Sequence, residues 1–268
     1  MSTQRHVDLF YNTYTHFTEQ VLAAVRGETF GKDIGQNSWV TADEYELFVE
    51  WLKLTPESHV LEVASGSGGP ALHLAQTCGC RVTGVDVNPK GVATAERAAA
   101  RGEYTGRVNF KVADATQPLP FSDRKFDALL CIDSMNHFPD RLQTLQEWRR
   151  VLKPGARAVF TDPVAITGPV TNDELAQRSS IGLFVFVPRA LNEELIVKAG
   201  FKLVSQLDVT ENAALVSRRW REARQRFRAD LLRIEGQERF DGVQKFLGAV
   251  HSLTSERRLS RIAYLVEK

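Results

Sequence analysis

Val60-Leu-Glu-Val-Ala-Ser-Gly-Ser-Gly-Gly-Pro-Ala-Leu-His-Leu-Ala75 decides the fold of this chain. A short apolar run rich in valine and leucine stops at a glycine-rich turn, and helical spacing begins just beyond Pro70. Strand, tight turn and helix in that order place free backbone N–H groups at the helix start. Glycines 66, 68 and 69 let the backbone come close to a ligand. Gly66-x-Gly68-x-x-Ala71 satisfies a relaxed G-x-G-x-x-A pattern, the phosphate-binding turn of dinucleotide folds. Asp86 follows 20 residues after Gly66, at the end of the next apolar run. A carboxylate there can accept hydrogen bonds from ribose hydroxyls.

Working outward, the strand–helix alternation continues. His59-Val-Leu-Glu-Val63, Arg81 to Asp86, Val108 to Val112, Phe126 to Ile132 and Ala156 to Thr161 read as strands. Asn88-Pro89 supplies an N-cap with proline at the first helical position. Helical stretches run to Arg101 and from Leu142 to Leu152. This alternation predicts an α/β fold: a Rossmann-like, seven-stranded, mostly parallel sheet with helices on both faces. The ends differ from this core. Residues 1–55 lack strand runs and read as an N-terminal helical lid, in which Thr41-Ala-Asp-Glu44 has the spacing of a capping box. Thr171-Asn-Asp-Glu174 is a second. Residues 56–210 form the ligand-binding core, with a helix at 191–199 stopped by Gly200 and a strand at 201–209. Residues 211–258 are a helical cap inserted before the closing strand within 259–268.

Composition removes several functions. The chain has 268 residues, 34 Lys and Arg against 33 Asp and Glu, and 43% apolar residues. Those values suit a soluble globular protein, and the balanced charge gives no field that would attract nucleic acid or an anionic membrane. No apolar run reaches about 18 residues, so no membrane span is expected. The polar start carries no signal-peptide core. Three cysteines, Cys78, Cys80 and Cys131, suit reduced thiols in the cytoplasm. Cys78-Gly-Cys80 is too short and too isolated for zinc, and no metal is expected.

Three further features narrow the ligand. Glu62 lies inside the first strand. Asp114 follows the third strand in Val112-Ala-Asp-Ala115. Leu119-Pro-Phe-Ser-Asp-Arg-Lys-Phe-Asp127 and Arg150-Val-Leu-Lys-Pro-Gly-Ala-Arg157 lead into the fourth and fifth. Together with the glycine turn, these elements resemble the class I S-adenosylmethionine-dependent methyltransferases over roughly residues 56–163. The small-molecule members that act on phosphoethanolamine and sarcosine-like amines are the nearest in pattern. The chain departs from the family at Ala64, where glycine is common, and at Glu62, where aspartate is commoner. The resemblance implies S-adenosyl-L-methionine as cofactor, with S-adenosyl-L-homocysteine as product. Residues 65–68 (Ser65, Gly66, Ser67, Gly68) would approach its methionine part, beside Glu62. Asp86 would hold the ribose, Val87 would pack on adenine, and Asp114 with the Ala115 amide would read the adenine edge. Cys131, Ile132 and Asp133 would lie beside the methionine amino group. Gln36 and Trp39, in a loop resembling the family's N-terminal lid, would reach the cofactor carboxylate and wall off the sulfonium.

On the acceptor side, Asp133-Ser-Met-Asn-His137 leaves the fourth strand. His137 is a candidate base or substrate-orienting group, since an imidazole with a pKa near 6.5 can take a hydroxyl proton, and Asp133 in the same loop is a second catalytic candidate. Its bland alternative is a hydrogen bond that locks the loop. The resemblance pairs the histidine with an N-terminal tyrosine, for which Tyr11 and Tyr14 are the candidates. Arg218, Arg219, Arg221, Arg224, Arg226, Arg228 and Arg233 crowd one helical stretch, with Glu222, Asp230, Glu235 and Glu238 nearby. A solvated, ion-paired face is the plain reading; contact with an anionic substrate is the functional one. The sequence points to methyl transfer to a small molecule, with an amine favoured and oxygen or carbon open, and leaves the oligomeric state unread. An NAD(P)-dependent oxidoreductase and a non-catalytic S-adenosylmethionine-binding module are the rivals.

Overall fold

The computed structural model describes residues 14, 16–102, 104 and 106–268. Its core is one sheet in the order β3-β2-β1-β4-β5-β8-β7. The strands are β1 (His59–Val63), β2 (Arg81–Asp86), β3 (Val108–Val112), β4 (Phe126–Cys131), β5 (Leu152–Ile166), β6 (Val187–Pro188), β7 (Lys202–Asp208) and β8 (Leu259–Glu267). β1 to β5 pair in parallel, and β8 runs antiparallel between β5 and β7. The sheet has eight strands, one more than expected. The additional β6 is two residues long and pairs only with the far end of β5. No periodicity can announce so short a strand.

β5 also begins earlier than expected. Leu152 pairs with Phe126, yet Arg157 pairs with Ala128, so extra residues around Pro154-Gly155 bulge out of the ladder. Gly155 takes a positive φ there and its N–H reaches the Lys268 carbonyl. Pro154 and Gly155 mark this bulge.

Helices cover both faces. On one face α2 (Ala42–Leu52), α3 (Gly69–Cys78) and α4 (Pro89–Arg101) bury Tyr45, Phe48, Leu74 and Val92 against Val60, Val82, Leu130 and Val159. On the other, α5 (Arg141–Val151) and α7 (Leu191–Lys198) bury Leu145, Trp148 and Ile196 against Leu129, Phe160 and Tyr264. α1 (Gln20–Phe30) packs on a hairpin of α8 (Thr210–Arg226) and α9 (Arg228–Ser255), where Val25 meets Ala223, Leu231 and Phe240. α9 breaks at Gly236 (φ 77°, ψ 168°), beside the buried Arg224–Glu235 ion pair. The short α6 (Asn172–Arg178) is opened by a complete Thr171–Glu174 capping box. Among the described residues, no helix is long and apolar enough to cross a membrane.

Because five strands run parallel, their C-terminal ends share one edge. The 64–68 turn, Asp86, Asp114, the 133–137 loop and Asp162 all emerge there, where open α/β sheets bind ligands.

Candidate active site

Glu62 is buried inside β1, 4% exposed, and its Oε2 makes no hydrogen bond within the protein. Burial, reinforced by the Asp86 charge, pushes its pKa up to about 8. Ser65 is also buried with an unbonded hydroxyl. An ionisable oxygen and a hydroxyl without partners beneath a glycine turn are costly unless a ligand completes them. Asp86 closes β2 with both oxygens in use: Oδ2 accepts from the Gly66 N–H and Oδ1 from the Asn88 N–H, each at 2.8 Å. It shapes the turn as well as facing any ligand. Asn88 in turn caps α4, its Oδ1 accepting from the N–H groups of Lys90 and Gly91.

The turn's glycines are explained in part by the chain itself. A Cβ on Gly66 would lie 2.4 Å from the Tyr14 hydroxyl, and one on Gly69 would strike the Ile34 carbonyl and Gly35. At Gly68, with φ +79°, a Cβ would run into Ala95 and Phe110 in the core. Tyr14 thus seats directly on the turn, hydrogen-bonded to Asn37, and burial raises its pKa further above the tyrosine value. Tyr11 lies outside the described residues. Ser67 is buried; Val87 and Val112 stand 42% and 57% exposed at the ends of β2 and β3, an apolar lip unusual for strand termini. Asp114 sits beside that lip, its Oδ1 accepting from the Thr116 N–H and hydroxyl, with Ala115 packed on the core.

Three of the expected site residues lie on the other side of the turn. Cys131 points into the core, where burial raises its thiol pKa, so only its backbone can face a ligand; Ile132 packs on the opposite face. Gln36, expected at the cofactor, is 1% exposed and closes its own loop, accepting from the Ile34 N–H at 2.8 Å. Asp133, expected in the chemistry, has both oxygens engaged. Oδ1 accepts from the Thr161 hydroxyl at 2.8 Å and the Arg261 Nε–H at 2.6 Å; Oδ2 accepts from the Trp39 N–H at 2.8 Å. Its backbone is left-handed, φ 53°. Asp133 is therefore the clasp that ties the N-terminal loop to the end of β4. Trp39 is buried between Trp220 and Phe246.

His137 lies in a short 3-10 turn, Met135–His137. Its Nδ1 is 2.7 Å from the Leu183 carbonyl, which assigns the Nδ1–H tautomer, and Nε2 receives a long 3.3 Å bond from the Asn136 amide. Burial is the main cause holding its pKa below the usual value. Both ring nitrogens are thus engaged, Nδ1–H on Leu183 and the Nε2 lone pair on the Asn136 amide.

Residues 61–160 match the family model described as a methyltransferase domain. Residues 61–160 are a methyltransferase domain of the S-adenosylmethionine-dependent kind. The O-methyltransferase resE of Aspergillus sclerotiorum is 28% identical over 78% of this chain and 81% of its own length. The 27-O-demethylrifamycin SV methyltransferase of Amycolatopsis mediterranei is 30% identical over 66% of this chain and 64% of its own length. A solved phosphoethanolamine N-methyltransferase of Haemonchus contortus superposes with TM-score 0.84 at 20% identity, over 100% of this chain and 61% of that one, which is a likeness of fold.

Within the methyltransferase domain and its helical cover, sequence reading missed three residues. Arg261 on β8 is fully buried and joins Asp133 to Glu44 of α2, both of whose oxygens lie 2.7 Å from its Nη1. Glu44 therefore serves Arg261, and its expected capping box is half made: the Thr41 hydroxyl accepts from the Glu44 N–H without the return bond. Arg178, at the end of α6, is 1% exposed. No spacing rule separates such arginines from the solvated ones on α8. Of the arginine cluster, Arg226 on α8 and Arg233 on α9 behave as the plain reading expects, pairing with Glu28 and Asp230 at the surface, whereas Arg224 makes a buried pair with Glu235.

Proposed function

We propose that this protein transfers the methyl group of S-adenosylmethionine to an oxygen of a small-molecule acceptor, with His137 taking the acceptor's proton. The observation that carries the reading is His137 itself, in the loop next to the Asp133 clasp. Its Nδ1–H is anchored on Leu183, and its Nε2 lone pair is held by a long 3.3 Å bond from the Asn136 amide, which an acceptor hydroxyl would have to displace. A hydroxyl must lose its proton as it attacks, so it needs a base, whereas a neutral amine brings its own lone pair. That argument and the resE relative, named as an O-methyltransferase, support oxygen over the amine suggested by sequence.

The bound donor supplies an electrophilic methyl on a sulfonium. The protein's part is to hold, align and dry the site. Glu62 and Ser65 suit a cationic or N–H donating group above the 65–68 turn. Asp86 keeps lone pairs for the ribose hydroxyls. Val87 and Val112 offer apolar surface to the adenine, with Asp114 at its edge. Tyr14, on Gly66, closes the turn from the N-terminal side. Residues 16–55 and 211–258 form the lid, clasped to the core through Trp39, Asp133 and Arg261.

The test is a screen of hydroxyl, amine and carbon acceptors with methyl-labelled donor, repeated with His137→Ala. We expect label on oxygen and a loss of turnover of roughly 10²–10⁴-fold in the variant, with donor affinity unchanged. Because burial lowers the His137 pKa, the wild-type rate should stay level at neutral pH and fall only on the acid side of the ordinary histidine range. Label found only on nitrogen or carbon, with the variant at full rate, would refute the base role.

A further inference from the structure

Three buried arginines meet the acceptor side, and two have carboxylate partners. Arg261 has Asp133 and Glu44; Arg141 has Asp162, whose Oδ2 also accepts from Asn192 at 2.8 Å. Arg178 has none. It is fully buried, and its Nε and Nη1 make no hydrogen bond, which leaves three of a guanidinium's five N–H donors unused. Asp133 and Asp162 favour its charge from a distance, but their oxygens are committed to other groups. Burial lowers its pKa only to about 10, so it remains a cation at neutral pH.

Its neighbours do not neutralise it. The Cζ lies 4.8 Å from the Phe184 ring centre, 5.3 Å from Phe246 and 5.7 Å from Trp39. Aromatic faces attract the cation but accept no in-plane N–H bonds. Phe184 also meets the His137 ring edge-on at 5.0 Å, and the Leu183 carbonyl beside it anchors Nδ1. Arg178 and His137 therefore share one wall. Fully buried arginines are almost always paired, and an unpaired one beside a reacting group implies a missing anion.

Building on the proposed function, we propose that Arg178 is the receptor for an anionic oxygen group, carboxylate or phosphoryl, carried by the methyl acceptor. Trp39, Phe184 and Phe246 flank the cation and leave its N–H edge to the anion. The acceptor is oriented by Arg178 at its charged end and presents its nucleophile to His137.

The test uses minimal probes on wild-type protein saturated with S-adenosylhomocysteine. Sodium acetate and inorganic phosphate are titrated at fixed ionic strength by calorimetry, with acetamide as the neutral match for acetate, and each titration is repeated on Arg178→Gln. We expect saturable binding of one anion, none of acetamide, and at least about a tenfold weakening in the variant. Acetate binding assigns a carboxylate and phosphate binding a phosphoryl group. Anions binding no better than acetamide would overturn the proposal on wild-type data alone, as would an unchanged Arg178→Gln. Failure of wild type to bind S-adenosylhomocysteine would instead overturn the methyl-transfer reading.

Discussion

Glu62 couples the site to pH through burial, reinforced by the Asp86 charge. Its pKa rises from an ordinary 4.5 to about 8, so the folded protein holds a proton there that the unfolded chain has lost. That contribution is complete below about pH 4 and is lost as pH climbs through 8, so stability should decline across this window. Glu62→Gln should flatten the decline, as read by denaturant unfolding at several pH values. An identical pH profile in the variant would place the proton elsewhere. Asp86 is a different case, because its oxygens already serve the Gly66 and Asn88 amides. Asp86→Ala would strand two buried N–H groups, each at a cost of about 1–3 kcal/mol, and confound folding with binding. Asp86→Asn keeps one acceptor and sets its NH2 against the other backbone N–H, so it strands one amide instead of two. It should cost about 1–3 kcal/mol in stability, less than Asp86→Ala, and bind S-adenosylhomocysteine at least about tenfold more weakly, since a charged acceptor has become neutral. Unchanged affinity by calorimetry would take Asp86 away from the ligand.

Between elements, the Glu44–Arg261–Asp133 chain joins α2, β8 and the end of β4, while Trp39 hangs the N-terminal loop on the same aspartate. Glu44→Ala would leave Arg261 buried with half its compensation and should cost about 3 kcal/mol in stability, measured by urea unfolding. A loss under about 0.5 kcal/mol would make the pair decorative. This chain also shows where sequence reading stops. The glycine turn, Asp86 and the Asn88-Pro89 cap were legible because each depends on neighbours close in sequence. Thr41 to Glu44 was misread as a closed capping box because Arg261, 217 positions away, takes the carboxylate. Gln36 and Asp133 carried polar groups at plausible places, but what satisfies them comes from distant backbone or from their own loop. Arg178 gave no signal, since burial of a charge is decided by three aromatic residues from separate segments.

For the molecule as a whole, the parallel core brings five strand ends to one edge and the helical additions cover that edge. α1 and the α8–α9 hairpin pack on each other through Val25, Ala223, Leu231 and Phe240 and meet the core at Trp39. A ligand at the turn is then enclosed by parts of the chain far apart in sequence, which suits a transfer that must exclude water. The glycine pattern by itself would also serve a nicotinamide dinucleotide. The decisive measurement is a calorimetric titration of the purified wild-type chain with S-adenosylhomocysteine and, separately, with NADH and NADPH. The account predicts saturable binding of S-adenosylhomocysteine, one per chain, and no heat of binding from either dinucleotide. Binding of a dinucleotide with none of S-adenosylhomocysteine would contradict it.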